Sequence, residues 1–180
     1  MPNTLLKLIK KAKKGDKNAF GDIYSLYLTR IYRFTYYLVY NEAQAEDITQ
    51  DVFLKAWQYL PKFSVKRGTI QAFLYTIARN LVIDYRRKKK EVKLQTPMVM
   101  SLASRENVEE GYLDGEKKNI VHEALGELKK DESELIILRY FEELSFAEIA
   151  EIVKGNEGSL RVKIHRVLKK LKDQIQRKNL

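Results

Sequence analysis

The chain of 180 residues contains no cysteine. Disulfide frameworks, thiolate metal sites and cysteine nucleophiles are therefore excluded at the outset. Histidine is nearly as scarce: His122 and His165 are the only two, and their spacing does not suggest a metal site. Neither a G-x-S-x-G elbow nor a phosphate-cradling P-loop occurs. Asp47 and Asp84 are single carboxylates on helical patterns, suited to structure or to an interface. The sequence thus predicts no catalytic residue, no metal and no cofactor. Long apolar runs are also missing, since nothing approaches the roughly 18 residues a spanning helix needs. The opening Met-Pro-Asn-Thr-Leu-Leu-Lys lacks the basic-then-apolar run and the cleavage site of a signal peptide. The expectation is a soluble, cytoplasmic protein without membrane insertion.

What the chain does have is apolar material and positive charge. A hydrophobic content of 44% supports packed cores. The net charge of +10 favours a polyanionic partner, and its distribution is more telling than its total. Residues 1–90 carry a net +11, residues 91–115 a net −3, residues 116–156 a net −4 and residues 157–180 a net +6. Two basic regions flank an acidic middle.

Nearly every periodic segment is helical. Thr4 is placed to cap a short helix carrying Leu5, Leu6, Leu8 and Ile9. A longer pattern over about 18–40 repeats Phe20, Ile23, Tyr24, Tyr27, Ile31, Phe34 and Leu38. Asn41 with Gln44 opens a third helix reaching about residue 60, and Pro61 and Gly68 bracket a loop. Thr69 starts a fourth helix, with Phe73, Leu74, Ile77, Ala78, Leu81 and Ile83 as candidate core, ending in the basic run at 86–90. Periodicity then fades and Pro97, Ser101, Ser104, Gly111 and Gly115 accumulate, the composition of a linker. Helical patterning resumes near Lys118, with Asp131 and Glu134 expected to form a cap. The predicted architecture is all-α: two helical domains, 1–90 and 118–180, joined by a flexible linker over 91–117.

The end of the chain carries the sharpest motif. Ser145 and Glu148 form a capping box, and Phe146, Ile149, Ala150 and Val153 follow at helical spacing. A turn with Gly155 and Asn156 leads to a second amphipathic helix from about Glu157. Its inner face is Leu160, Ile164, Val167, Leu168 and Leu171, while Arg161, Lys163, Arg166, Lys169 and Lys170 point elsewhere. This is the pattern of a helix-turn-helix, whose second helix enters a major groove. Arg161, Lys163, His165 and Arg166 occupy its first three turns, where arginine can pair bidentately with guanine. Lys169, Lys170 and Lys172 suit phosphates.

A different chemistry is suggested by the segment from the 62–67 loop through the fourth helix. There Phe63, Phe73, Tyr75 and Tyr85 mingle with Lys62, Lys66, Arg67, Arg79, Arg86, Arg87 and Asn80. Aromatic faces stack on unpaired bases while Lys and Arg hold the backbone, so separated strands fit better than closed duplex. Phe73, at core spacing, is assigned to packing and the loop to binding. On the third helix, Ala45, Ile48, Val52, Phe53, Ala56 and Trp57 form the apolar stripe, with Glu46, Asp47, Gln50 and Asp51 around the other side. These acidic groups suit either a basic protein partner or the dipole of a helix start.

Taken together, the segments resemble a bacterial RNA polymerase sigma factor of the compact extracytoplasmic-function (ECF) type, over about 18–90 and 118–173. Ala45-Glu-Asp-Ile-Thr-Gln-Asp-Val-Phe-Leu-Lys-Ala-Trp57 is similar to the family's polymerase-binding helix. Phe73-Leu-Tyr-Thr-Ile-Ala-Arg-Asn-Leu-Val-Ile-Asp-Tyr-Arg-Arg87 is similar to its −10 element helix. Leu144-Ser-Phe-Ala-Glu-Ile-Ala150 with Glu157-Gly-Ser-Leu-Arg161 is similar to its −35 reader. The resemblance implies that Glu46, Asp47, Gln50 and Asp51 meet the clamp helices of the largest polymerase subunit, with further contact at the flap region. It implies that Lys62, Phe63, Lys66, Arg67, Arg79, Asn80, Arg86 and Arg87 handle the melted −10 element. It implies that Ser159, Arg161, Lys163, His165, Arg166 and Lys169 face the −35 duplex, and that an anti-sigma protein is a further partner. The chain departs from the family pattern at two places: Lys154 stands where the turn usually has glycine, and Val162 where a polar residue is common. The alternative reading is a helix-turn-helix regulator with an N-terminal sensing or dimerisation domain. Against it, the N-terminal half is the more basic one and shows no ligand-pocket signature.

Overall fold

The computed structural model describes residues 2–66, 68–95 and 123–178. The predicted linker beyond residue 95, and Arg67, lie outside the described residues. Everything regular among the described residues is helical. Helix α1 is Pro2–Ala12, α2 Lys17–Val39, α3 Glu42–Tyr59 and α4 Ile70–Gln95, with a 3₁₀ turn at Leu60–Lys62. The C-terminal half has a helical stretch at 123–126, then α5 at Lys130–Ile136, a π turn at Ile137–Phe141, α6 at Phe146–Val153 and α7 at Glu157–Lys178.

Local chemistry sets most of these boundaries. Helix α1 begins at Pro2, whose missing N–H is no loss in a first helical turn. Thr4 therefore lies inside the helix and is not its cap. Gly15 turns the chain at φ +92°, and Asp16 caps α2 by accepting the Ala19 N–H at 3.0 Å. Tyr40 closes α2 in the left-handed region (φ 51°), and Asn41 at once caps α3 by accepting the Gln44 N–H at 2.9 Å. Thr69 does the same for α4, accepting the Ala72 N–H at 3.1 Å. The expected cap by Asp131 and Glu134 does not form. Instead the Glu132 carboxylate accepts the Lys129 N–H at 3.0 Å, and Glu134 turns inward.

Helices α2, α3 and α4 build the N-terminal core. The buried stripe of α2 is Ala19, Ile23, Tyr27, Ile31, Phe34 and Leu38, one residue per turn as the sequence predicts. Phe20 is half-buried against Trp57, and Tyr24 lies at the surface against Phe53. Two hydroxyls bridge α2 and α3 inside this core, Thr35 Oγ1 and Thr49 Oγ1 at 3.0 Å. Helix α4 buries Leu74, Tyr75, Ile77, Ala78 and Val82. Ile83, expected in the core, is 44% exposed, and Val82 takes the inward place instead.

The two helical halves pack against each other. The cluster formed by α2, α3 and α4 continues without a break into Leu135 to Leu138, Leu144, Ile149 and Ile152 of the C-terminal half. Helix α6 packs along α4, and the π turn packs on α2. Phe141 meets Tyr37 edge-on, with ring centroids 4.9 Å apart. Burial of each large aliphatic side chain contributes about 1.5–3 kcal/mol, so this junction is a packed interface and not a polar brush.

At its centre lies Glu142, a carboxylate with no exposed surface. Arg33 donates to both oxygens, from Nε at 2.8 Å and from Nη2 at 3.0 Å. The Tyr75 hydroxyl donates to Oε2 at 2.5 Å. Arg30 donates to the Glu142 backbone carbonyl at 2.5 Å and brings its Nε within 3.6 Å of the carboxylate. A buried charge is tolerated only with such compensation. The chain enters the site through the wide π turn, where the Glu142 N–H reaches back five residues to the Ile137 carbonyl, and leaves it through Glu143 at φ 57°.

Candidate nucleic-acid and partner interfaces

Three charged surfaces stand on this frame. The first is the outer face of α3. Because Ala45, Ile48, Val52, Phe53 and Ala56 turn inward, the helical period carries Glu46, Asp47, Gln50 and Asp51 outward, and all four are exposed. One apolar residue outside the inward stripe joins them. Leu54 is 57% exposed and lies three and four residues beyond Asp51 and Gln50, giving this acidic face an apolar centre. The only sequence signal was its failure to fit the inward stripe.

The second surface joins the 62–66 loop to α4. Lys62 and Lys66 are exposed, as are Tyr59 and Val65. Phe63 is 9% exposed and rests against Phe73, with ring centroids 5.0 Å apart. Its expected role as an exposed stacking residue is not what this conformation presents. Lys13, at the end of α1, donates from Nζ to the Phe63 carbonyl, so the N-terminal extension anchors the loop. The loop, Phe73 and Thr76 line a concavity of about 340 Å³, with Tyr59, Lys62, Phe63 and Ser64 on one side and Glu151 on the other.

Farther along α4 the candidate residues divide. Asn80 and Arg87 are exposed on one face with Ile83 between them. Arg86 is half-buried and donates to the Leu38 carbonyl at 2.5 Å, and burial lowers its pKa from the usual guanidinium value. Arg79 Nε lies 2.7 Å from Glu134 Oε1 of the C-terminal half. Burial raises the Glu134 carboxyl above the usual carboxylate range, and Arg79 opposes that shift. Tyr75, grouped by sequence with the stacking aromatics, is fully buried against Phe34 and bonded to Glu142. Burial, then the adjacent Glu142 charge, pushes its hydroxyl pKa well up.

The third surface is α7. Asn156 caps it by accepting the Ser159 N–H at 3.1 Å, and Leu160, Ile164 and Val167 bury its inner face. Ser159, Arg161, Lys163, His165, Arg166 and Lys169 are all exposed. Some are already oriented. Arg161 pairs with Glu157 at 3.1 Å and lies over the Phe146 ring, as does Arg139. Lys163 holds Asp131 at 2.6 Å, and this bond lowers the aspartate pKa below its usual range. Among the described residues, His165, Arg166 and Lys169 carry no intramolecular ion pair. The turn before α7 is reached through Lys154 at φ 54°, ψ 45°, the left-handed conformation that glycine would adopt without strain. Gly155 instead serves close packing, since a Cβ there would lie 3.3 Å from both Leu160 and Val153. Val162 is 51% exposed on the same outer surface. No helix among the described residues is long and apolar enough to cross a membrane.

Comparison with known proteins agrees with this geometry. Residues 23–92 match the family model described as Sigma-70 region 2, and residues 118–171 match Sigma-70, region 4. The ECF RNA polymerase sigma factor SigW of Bacillus subtilis (strain 168) is 34% identical, covering 97% of this chain and 98% of its own. RNA polymerase sigma factor SigV of the same strain is 34% identical over 83% of this chain and 86% of its own. Among solved structures, the sigma factor RpoE in complex with the anti-sigma factor NepR from Bartonella quintana aligns with a TM-score of 0.71. It is 26% identical, covering 87% of this chain and 96% of that one. CnrH in complex with the cytosolic domain of CnrY aligns at 0.73 with 21% identity, covering 94% and 95%, a likeness of fold. The two matched regions cover the three charged surfaces in the order the motifs predict, and the chain belongs to the ECF RNA polymerase sigma factors.

Proposed function

We propose that this sigma factor works through a division of labour among the three surfaces. Residues 1–90 dock on core RNA polymerase and engage the opened −10 element, and residues 118–180 read the −35 duplex. Glu46, Asp47, Gln50 and Asp51, centred on exposed Leu54, form the polymerase-facing patch, addressed to the clamp helices; a second contact is made with the flap region. Lys62, Lys66, Arg67, Asn80 and Arg87 hold the melted strand, with Arg79, Arg86 and Phe63 joining after rearrangement. Arg161, Lys163, His165 and Arg166 approach base edges, while Ser159 and Lys169 serve phosphates. The polymerase supplies all of the chemistry, in the cytoplasm, and this chain contributes recognition without catalysis. An anti-sigma protein is proposed as its regulator, by likeness to the RpoE–NepR complex.

The observation that carries this reading is the segregation of charge. Glu46, Asp47, Gln50 and Asp51 of α3 are exposed together because the helix buries the opposite stripe, and no lysine or arginine stands among them in the sequence. A basic DNA-binding domain gains nothing from exposed carboxylates toward DNA, so they are addressed to a protein. The test is in vitro transcription with core polymerase. Wild-type chain is expected to initiate at defined promoters, and D47R/D51R is expected to lose co-elution with the core while its melting temperature stays within about 1 °C, as surface substitutions generally allow. Initiation by the double variant at the wild-type level would refute the assignment.

A further inference from the structure

The first 15 residues hold five lysines and no carboxylate. They precede the stretch that matches Sigma-70 region 2, which begins at residue 23, and none of the three surfaces above gives them a role. Helix α1 sorts these residues by period. Ile9 and Ala12 are buried, and Leu5 and Leu8 pack half-buried against the same core, an i, i+3, i+4, i+7 stripe that seats α1 on α2. Lys7, Lys10, Lys11 and Lys14 repeat that spacing on the outer side, with Lys14 in the turn just after the helix, and all four are exposed. Among the described residues none of the four is in an ion pair. Lys13 beside them is half-buried and donates from Nζ to the Phe63 carbonyl. That bond fixes the end of the stripe against the loop carrying Lys62 and Lys66. We infer that this stripe is a phosphate-binding surface, which takes the backbone of the melted DNA strand as it runs off the 62–66 loop. The inference rests on the assignment of that loop to the −10 element.

Two considerations favour a polyanion over a merely solvated face. The first is the cost of one sign of charge. Lysines three and four residues apart on a helix repel, and Lys7, Lys10, Lys11 and Lys14 form four such pairs with nothing acidic before Asp16 to relieve them. Asp16 itself is committed to capping α2. Solubility is served as well by mixed charge, whereas a row of phosphates calls for one sign. The helix dipole accounts for Lys10 and Lys11 in the last turn, but not for Lys7 in the middle of the helix. The second is size and chemistry. Lys7 to Lys14 spans about 10 Å at about 1.5 Å per residue, over which one strand at duplex spacing presents about three phosphates at about 3.4 Å each. Residues 1–15 contain no aromatic side chain, so the stripe has nothing to stack on bases. It fits the backbone alone, without sequence preference.

The test uses holoenzyme and single-stranded DNA. A fluorescent −10 oligonucleotide is compared with versions lengthened by about six nucleotides at the 5′ or the 3′ end, enough to add the phosphates the stripe can cover. Wild type is expected to gain about tenfold in affinity from one of the two extensions, with a salt slope steeper by about two, the value for three phosphates on a single strand. Lys7→Gln/Lys10→Gln/Lys11→Gln/Lys14→Gln preserves helix propensity and retains Lys13. It is expected to bind core polymerase and the unextended oligonucleotide like wild type, while losing both the gain and the added slope. Scrambling the extension should leave the gain unchanged. Full retention of the gain by the quadruple variant, a gain that follows the sequence of the extension, or no gain from either extension in wild type would each overturn the inference. The loop has its own control. If Lys62→Gln/Lys66→Gln does not weaken binding of the unextended oligonucleotide, the −10 assignment itself fails, and the inference with it.

Discussion

Tyr75→Phe isolates one bond of the Glu142 clasp and gives a measurable expectation. The substitution keeps the ring, and with it the edge-on contact to Phe34 at a centroid distance of 5.1 Å. It deletes only the hydroxyl that donates to Glu142 Oε2 at 2.5 Å. Both groups are fully buried, so water does not replace the bond. A hydrogen bond to a charged group is worth about 1.5–3 kcal/mol net. The upper end is trimmed here because Oε2 retains Arg33 Nη2 at 3.0 Å. About 1.5–2 kcal/mol is therefore expected, a drop of roughly 3–8 °C in melting temperature at about 2–4 °C per kcal/mol for a chain of this size.

Urea unfolding followed by both circular dichroism and intrinsic fluorescence is the assay, with the shift read from the midpoint at unchanged slope. A double-mutant cycle with Arg33→Ala sharpens it. Both residues serve the same carboxylate, so a coupling of about 0.5 kcal/mol or more is expected. Loss of less than about 0.5 kcal/mol in Tyr75→Phe, or strict additivity with Arg33→Ala, would refute the view that Glu142 is the organising charge of the junction.

Arg166→Ala is expected to reduce discrimination between cognate and mismatched −35 duplexes by about 1–3 kcal/mol; Lys169→Ala should instead weaken all sequences alike and lower the salt slope by about one, both measured by fluorescence anisotropy with the holoenzyme. Lys154→Gly removes a side chain from a left-handed residue and is expected to stabilise the chain by a few tenths to about 1 kcal/mol, visible as a higher melting temperature with −35 affinity unchanged. Glu132 is held below the usual carboxylate range first by the Lys129 N–H and then by Lys170. Its folded pKa lies below its unfolded one, so its stabilising contribution is full above the unfolded value and disappears as pH falls through the folded value. Between pH 5 and 3 the wild-type melting temperature should therefore fall more steeply than that of Glu132→Gln, and parallel curves would exclude the interaction.

Much of the fold was legible because its signals are local. Asn41, Thr69, Ser145 and Asn156 each precede a helix and each cap it, and caps depend on residues only three apart. The inward stripes of α2 and α7 follow from period alone. The charged outer faces of α3 and α7 were legible for the same reason, as the outward remainders of inward stripes. Misplacements occurred where the outcome depends on what packs opposite. Ile83 has the character of a core residue but lies on the outward face of α4 with Asn80 and Arg87, whereas Tyr75 and Phe63 have the character of stacking residues but are covered. The Asp131 and Glu134 pair matched a cap pattern, yet Glu132 offered the same carboxylate two residues earlier in register with Lys129, and Glu134 instead meets Arg79.

What no local pattern could show is the pairing of the halves, and its chemistry explains why. An acidic segment between two basic ones has the composition of a solvated spacer, and Glu142 in isolation has the character of a surface residue. Its burial depends on Arg30 and Arg33 one helical turn apart on α2, on Tyr75 opposite them on α4, and on a π turn that swings the backbone inward. Each partner is more than sixty residues away in sequence. Two of the three come from a helix whose apolar stripe already accounts for its position, so their outward guanidinium groups appear free. Arg30 and Arg33 keep about a third or more of their side-chain surface exposed, whereas Glu142 and Tyr75 are fully buried between them and the core. The junction is therefore strongest at one buried carboxylate and hydrated at its rim, a combination that neither a core stripe nor a surface charge pattern announces in sequence.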